Sequence, residues 1–109
     1  MIYPSQEEIV AAAQRIAFGI NHTLVLQSAF LNSRFETSLF FKCENFQKAG
    51  AFKSRGAVNA VFSLDEDEAA KGVATHSSGN HAQALARAAA LRKIPAYIVM
   101  PENAPHVKV

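Results

Sequence analysis

Lys53 is the residue in this sequence with the best position for covalent chemistry. It stands at the predicted start of a helix that runs to Leu64, directly after a loop. The positive end of the helix dipole disfavours an ammonium group there and favours the neutral amine. A neutral lysine amine is a nucleophile that forms imines with carbonyl compounds. Burial beside Phe52 and the positive charge of Arg55 are expected to reinforce this effect.

Two other interpretations of Lys53 have to be weighed against a reactive amine. On spacing alone, a solvated lysine in a surface loop is the default. A phosphate-binding P-loop is excluded, because that pattern needs a glycine directly before Lys-Ser and Phe52 occupies the place.

A second stretch with possible chemistry comes after the predicted strand Val73 to Thr75. A turn of small residues leads there into a long alanine-rich helix. Such a helix start is an anion site by geometry, because its first backbone N–H groups lack intrahelical acceptors. A plain N-cap by Ser77 or Ser78 explains the same residues equally well. His76 and His81 are five residues apart and do not share a helical face, so a metal pair is not expected.

The elements that position these stretches are predicted from capping and periodicity. Ser5 and Glu8 form a capping box at the start of a first helix, and Asp65 caps a short acidic one. Residues 38–44 alternate between apolar and polar and predict a strand. Residues 94–100 predict another strand, so the region from Val73 onward indicates parallel pairing with right-handed crossovers.

Composition limits the class of protein. The chain has 109 residues, one domain at most, of which 50% are hydrophobic and 18% charged, as in a soluble globular protein. A net charge of +2 is too small to indicate nucleic-acid binding. The single Cys43 suits a reducing compartment, and neither a signal peptide nor an apolar run of membrane-spanning length is visible. We therefore expect a cytoplasmic protein.

The run KCENFQKAGAFKSRGA, residues 42–57, resembles the cofactor-lysine segment of pyridoxal-phosphate enzymes of the tryptophan-synthase β type, or fold type II. Within that group it is most similar to the serine racemase and serine/threonine dehydratase branch. The resemblance implies that Lys53 holds pyridoxal 5'-phosphate covalently and that Phe52 packs near the ring. Ala51 departs from the pattern, since many relatives have serine there. The resemblance extends over residues 20–109.

The turn before the long helix resembles the substrate loop of the same branch. The resemblance implies a set of substrate-binding residues: Ser77, Ser78, Gly79, Asn80 and His81. It also implies that Asn80 hydrogen-bonds the ring oxygen of the cofactor. Ser78, the second catalytic residue beside Lys53, would serve the cofactor face opposite Lys53, where racemisation requires a second proton transfer. Ala82 departs from the racemases, which more typically have glycine.

The implied fold is α/β: the N-terminal fragment of a two-domain fold-type II enzyme, with three layers (α/β/α) and parallel strands. Residues 1–64 are predicted to be the N-terminal portion of the large cofactor-binding domain, and residues 65–109 the start of the small domain. None of the five glycines forms the family's glycine-rich phosphate loop. That loop, the partner of the pyridine nitrogen and any metal site would lie in a second half of the protein, and no metal ligand is assigned here.

The implied function is a pyridoxal-phosphate-dependent dehydratase, or ammonia-lyase, with serine racemisation as a related activity. It would convert hydroxy amino acids of the L-serine/L-threonine type into a 2-oxo acid and ammonia. The alternative is a non-catalytic α/β fragment with a binding role or none. The sequence gives little support to a dinucleotide-binding module, because the G-x-G-x-x-G motif is missing. The full-length protein is expected to be a homodimer with no nucleic-acid or membrane partner, and residues 1–109 alone are expected to be inactive.

Overall fold

A computed structural model describes residues 3–104 of the chain. These residues form five α-helices and two small sheets, joined by 3₁₀ turns at 17–19, 44–46 and 48–50. The elements in chain order are α1 (Gln6–Ile16), β1 (Val25–Leu26), α2 (Ala29–Phe35), β2 (Phe41–Lys42), α3 (Lys53–Ser63), α4 (Glu66–Ala70), β3 (Val73–His76), α5 (Asn80–Arg92) and β4 (Ala96–Val99).

The core lies between α3 and α5, and α1 also packs against α3. Val58 and Val61 of α3 have no exposed surface, and the small side chains of Ala84 and Ala88 face them from α5. Alanine on one helix lets the backbones approach closely, so the larger valines on the other fill the space. The alanine-rich helix predicted from the sequence is present, and Ala82, Ala88 and Ala89 are buried, whereas Ala86 is only half-buried.

Strands β3 and β4 pair in parallel, as predicted, with Val73 opposite Ala96 and His76 opposite Val99. Helix α5 connects them, which gives a β–α–β unit. The turn into β3 requires a glycine: Gly72 has a φ of 80°, and a Cβ there would lie 2.6 Å from the carbonyl oxygen of Pro95. Helix α4 ends just before this turn, at Ala70.

The predicted strand over residues 38–44 is wrong in its extent. Only β2 pairs, over two residues, and its partner β1 runs antiparallel to it. On one side, the Leu39 N–H donates to Asn32 Oδ1 at 2.9 Å instead of to a neighbouring strand. On the other side, a 3₁₀ turn begins at Glu44. The α/β class is confirmed, and its parallel pairing lies in the β3–β4 sheet.

The helix N-termini fall into two groups. Capping boxes are present at α1, with Ser5 and Glu8, and at α4, with Asp65 and Glu68. The Ser28 hydroxyl caps α2. Within the described residues, α3 and α5 have no side-chain cap.

The hydrophobic core crosses residue 64, where the sequence places a domain boundary. Its buried members from before the boundary are Ile16, Ala57, Val58 and Val61, and those from after it are Ala84, Leu85 and Ala88. Arg92 adds a polar link, because its guanidinium donates to the carbonyl oxygens of Val61 and Leu64 at 2.5 and 2.8 Å. The division at residue 64 stays a prediction.

Candidate active site

The loop that carries the chain to Lys53 is held by side chains on both of its flanks. Gln47 is 4% exposed, and its amide oxygen accepts from the backbone N–H groups of Asn21 and Lys48 at 2.7 and 2.9 Å. The amide nitrogen of Gln47 donates to the Asn21 carbonyl at 2.9 Å. On the helix side, the fully buried Ser54 donates its hydroxyl to the Lys48 carbonyl. The start of α3 is therefore fixed independently of the Lys53 side chain.

Lys53 is the first residue of α3, as predicted. Its Nζ lies 5.3 Å from the centroid of the Phe52 ring, within the range of a cation–π contact. The predicted burial is wrong in this structure: Lys53 is exposed, and 60% of Phe52 is exposed. Arg55, whose charge was expected to act on the amine, is paired with a carboxylate.

That carboxylate belongs to Glu44. Arg55 binds it in a bidentate manner, from Nε to Oε2 at 2.8 Å and from Nη2 to Oε1 at 2.7 Å. The Thr23 hydroxyl donates to the same Oε1 at 2.6 Å. Hydrogen bonding from Arg55, opposed by desolvation and aided by Thr23, lowers the pKa of Glu44 from 4.5 to about 2. The pair is therefore fully ionised at neutral pH.

The predicted substrate loop continues the parallel sheet into the start of α5. The Ser77 N–H donates to the Val99 carbonyl at 3.1 Å, and the Ser77 hydroxyl accepts from the Gly79 N–H at 3.3 Å. The N-cap residue of α5 is Gly79, so neither Ser77 nor Ser78 supplies the plain cap that the sequence left open. The first-turn N–H groups of α5 are left without a side-chain acceptor within the described residues.

A cleft of about 340 Å³ lies where α3 and α5 face each other. Its walls are formed by Phe52, Lys53, Arg55, Gly56, Ala57, Ala60, His81 and Leu85. The cleft brings the predicted cofactor residues Phe52 and Lys53 together with His81 of the predicted substrate loop. Four other predicted site residues, Ser77, Ser78, Gly79 and Asn80, are not part of this wall. An amine, an imidazole and an aromatic ring over apolar walls suit an aromatic carbonyl compound.

Sequence reasoning missed the polar network beside the cleft. Thr23, Glu44 and Gln47 were assigned no role, and Arg55 was treated as a free charge. The sequence offered one signal for the ion pair: Glu44 and Arg55 are the charged residues that bracket the predicted cofactor loop. Spacing alone does not say that a loop of this length folds back to join them.

Metal-binding clusters and membrane-spanning helices are not found in the described part of the chain. Among residues 3–104, no group of three or more His, Cys, Asp or Glu side chains is arranged to hold a metal ion. No helix in the same range is long and apolar enough to cross a membrane.

Comparison with known proteins agrees with the fold. The model of the pyridoxal-phosphate dependent enzyme family (PALP) matches residues 16–109. The chain therefore belongs to this family of pyridoxal-phosphate enzymes, and the resemblance drawn from residues 42–57 and 77–81 is confirmed.

Three relatives show where in the family the similarity is high. The chain is 56% identical over 108 residues to a beta-hydroxyaspartate dehydratase of Paracoccus denitrificans. The aligned region covers 99% of this chain and 34% of that protein. It is 62% identical over 98 residues to a serine racemase of Oryza sativa subsp. indica, covering 90% of this chain and 29% of the relative. The solved structure of maize serine racemase superposes with a TM-score of 0.88 at 56% identity, covering 92% of this chain and 30% of that one. The chain thus spans about a third of the length of these relatives.

Proposed function

We propose that this chain supplies the cofactor lysine and the substrate loop of a pyridoxal-phosphate-dependent dehydratase. The proposed substrates are small hydroxy amino acids of the L-serine or L-threonine type, the products are a 2-oxo acid and ammonia, and serine racemisation is a related outcome. The observation that carries the proposal is the cleft between α3 and α5. It joins Lys53 to His81, and two helices without side-chain caps begin at its border.

The residues of the cleft fit pyridoxal phosphate. Its volume of about 340 Å³ lies in the range of roughly 300–1,000 Å³ that small-molecule sites occupy. Lys53 offers the amine for covalent attachment, and Phe52 an aromatic face. Asn80, the first residue of α5, is proposed to hydrogen-bond the ring oxygen. When bound, the cofactor supplies an electron sink for the negative charge left at the substrate Cα.

Lys53 has two proposed tasks. Its amine holds the cofactor and, once the substrate has displaced it, removes the α-proton. Both tasks require the neutral amine. The side chain of Lys53 is exposed, and its Nζ lies 5.3 Å from the centroid of the Phe52 ring, so the contact between them is weak. It can therefore change position between the two tasks at little cost.

The start of α5 is proposed to bind the substrate carboxylate. Its first-turn N–H groups have no side-chain cap, and the helix dipole favours an anion there. Ser77, Ser78, Gly79 and His81 complete the proposed carboxylate site. A substrate anchored at α5 reaches towards Lys53, because His81 and Lys53 border the same cleft.

Ser78 is proposed to decide between elimination and racemisation. The two activities share removal of the α-proton and differ in the next step. Departure of the β-hydroxyl leads to the 2-oxo acid, whereas return of a proton from the Ser78 side gives the D-amino acid.

In the full-length protein, Ser78→Ala should lower D-serine formation by about 10²–10⁴-fold, the usual contribution of one acid/base group. Pyruvate formation should fall far less. Equal losses in both products would show that Ser78 has no face-specific role.

The proposed function is tested with Lys53→Ala in the full-length protein. Borohydride reduction of the cofactor-loaded protein, followed by peptide mass spectrometry, should place the cofactor on the Lys53 peptide of the wild type. The variant should carry none and lose serine turnover. Lys71→Ala is the matched control, since Lys71 is exposed at the end of α4 and should leave both measurements unchanged.

Cofactor trapped covalently on the Lys53→Ala protein would refute the assignment. Failure of the wild type to bind cofactor or to turn over hydroxy amino acids would favour the non-catalytic alternative.

We also propose the finer features of organisation that the sequence suggested. The boundary near residue 64 is proposed to separate a large from a small domain in the whole protein. A homodimer and a cytoplasmic location are proposed as well. The single cysteine supports a reducing compartment. Exposed phenylalanines on α2 and β2, with Phe30 at 76% and Phe41 at 43% exposure, support burial against further protein.

A further inference from the structure

We propose that Glu44 is a positioning residue for Lys53: by binding Arg55 it fixes the first turn of α3 and cancels the positive charge next to the reactive amine. The inference rests on the proposed function insofar as Lys53 is the reactive amine. Its test uses the cofactor-free protein, so the two can fail separately.

The first turn of α3 is tied to the loop that precedes it. Ser54 is attached by its hydroxyl bond to the Lys48 carbonyl, and Arg55 by its bidentate bond to Glu44. A bidentate guanidinium–carboxylate pair fixes orientation as well as distance. The turn that carries Lys53 is therefore held from two sides while Lys53 itself remains exposed.

Glu44 is itself held by the segment before β1. The Thr23 hydroxyl donates to Glu44 Oε1 at 2.6 Å, and the Thr23 carbonyl accepts from Lys42 Nζ at 2.7 Å. The side chain of Glu44 is 17% exposed and that of Arg55 33%, so solvent screens the pair only in part. This anchoring joins the segment before β1 to the start of α3, across residues far apart in the sequence.

The charge balance around Lys53 depends on the same pair. The charged or titratable groups that share the cleft wall with Lys53 are Arg55 from α3 and His81 from α5. An unpaired guanidinium there would repel the Lys53 ammonium, whereas the paired one is neutralised by Glu44. Glu44 therefore shields Lys53 from a neighbouring unpaired cation.

The test is the rate at which Lys53 reacts with an amine-labelling reagent in the cofactor-free, full-length protein. Peptide mass spectrometry reads the rate as a function of pH. Glu44→Gln keeps the size and one acceptor but removes the charge, so Lys53 should react about twofold to fivefold faster at neutral pH, as one added neighbouring charge would give. Its pH profile should move towards lower pH.

Two further variants separate charge from structure. The double variant Glu44→Gln with Arg55→Gln removes both charges and should return the labelling profile to that of the wild type. Thr23→Val removes the hydroxyl bond and should lower the urea midpoint without moving the profile. Glu66→Gln, which removes the negative charge from an ion pair with Arg92, serves as the control and should leave Lys53 labelling unchanged.

The pH dependence of unfolding provides a second readout. The pKa of Glu44 is about 2 in the folded protein and 4.5 ordinarily, so the stabilising effect of its ionised form is present above pH 4.5. It is lost as the pH falls from 4.5 towards 2. The difference in urea midpoint between the wild type and Glu44→Gln should therefore shrink over that interval.

Three results would overturn the proposal. The first is a pH profile of Lys53 labelling that is unchanged in Glu44→Gln. The second is a double variant whose labelling profile is displaced from that of the wild type as far as the profile of Glu44→Gln is. The third is a labelling profile that shifts as far in Thr23→Val as in Glu44→Gln. That result would assign Glu44 a purely structural role.

Discussion

The helix N-termini away from the cleft differ from the two that border it. Helices α1, α2 and α4 begin directly after Ser5, Ser28 and Asp65, and each of these side chains accepts a backbone N–H of its own helix. Helices α3 and α5 begin after Phe52 and Gly79 and receive no such bond from any residue in the range 3–104. A side-chain cap typically contributes about 0.5–2 kcal/mol of stability. The chain forgoes that contribution at both helix starts beside the cleft, and at α5 the proposed substrate carboxylate would use the same donors.

The two uncapped helix starts are stabilised by different means. Around α3, side-chain bonds from Gln47, Ser54 and Arg55 hold the loop. The first-turn N–H groups of Ser54 and Arg55 donate to the Ala51 and Phe52 carbonyls at 3.3 and 3.0 Å. The start of α5 is held by the continuation of the sheet, through the Ser77 N–H and the Val99 carbonyl. At α5 this rigidity is provided beside the donors and leaves them available, as a preorganised site requires.

Among the variants that test this comparison, the largest effect on activity is expected when a side-chain cap is introduced at the start of α5. Gly79 has an ordinary extended backbone, and a Cβ added there meets no atom within 4 Å. Gly79→Asp can therefore supply the missing cap. Its carboxylate would occupy the donors proposed for the substrate carboxylate and repel it. We expect kcat/KM for serine to fall by about 10- to 100-fold, since a hydrogen bond to a charged group contributes about 1.5–3 kcal/mol.

The stability of Gly79→Asp should move in the opposite direction. Replacing a glycine cap by aspartate should raise the free energy of unfolding by a few tenths of a kcal/mol. Gly79→Asn is the matched control, because it caps without charge and should lose less activity. Unchanged kinetics in a variant with raised stability would show that the α5 donors do not bind substrate.

The sequence was sufficient for features that depend on neighbours in the chain. Capping at Ser5 and Asp65, the turn at Gly72 and the start of α3 at Lys53 follow from local rules, and the structure has them. The parallel pairing of β3 and β4 also follows, because a strand–helix–strand pattern has few alternatives. The pyridoxal-phosphate family was predictable because the motif around Lys53 is specific.

The features that the sequence did not predict depend on contacts between distant segments. The alternation over residues 38–44 predicts a full strand, but strand length is set by the partner, and β1 offers only two residues. The Glu44–Arg55 pair requires the loop between them to fold back, which no local pattern encodes. Exposure of Lys53 is likewise a property of the groups that pack around α3. The proposed roles of Ser77, Ser78 and Asn80 stay predictions, since they depend on a ligand.

Removing a side-chain cap from one of the capped helices is expected to have the smallest effect on activity and a moderate effect on stability. Ser5→Ala removes the hydroxyl that accepts from the Glu8 N–H at 3.2 Å, and Asp65→Ala removes the oxygen that accepts from the Glu68 N–H at 2.8 Å. Each substitution should lower the free energy of unfolding by about 0.5–2 kcal/mol, read from urea melts. Serine turnover and cofactor trapping at Lys53 should remain at wild-type levels, because neither cap borders the cleft.

Ser5→Thr and Asp65→Asn retain an accepting oxygen and should recover most of the lost stability, which ties the loss to the cap itself. If Ser5→Ala or Asp65→Ala lowered turnover as strongly as Gly79→Asp at a temperature where the protein stays folded, the N-termini would not divide into structural and ligand-binding groups. If both alanine variants lost stability alone, the division would hold: caps are used where a helix only has to be stable and are missing where its first turn has to bind.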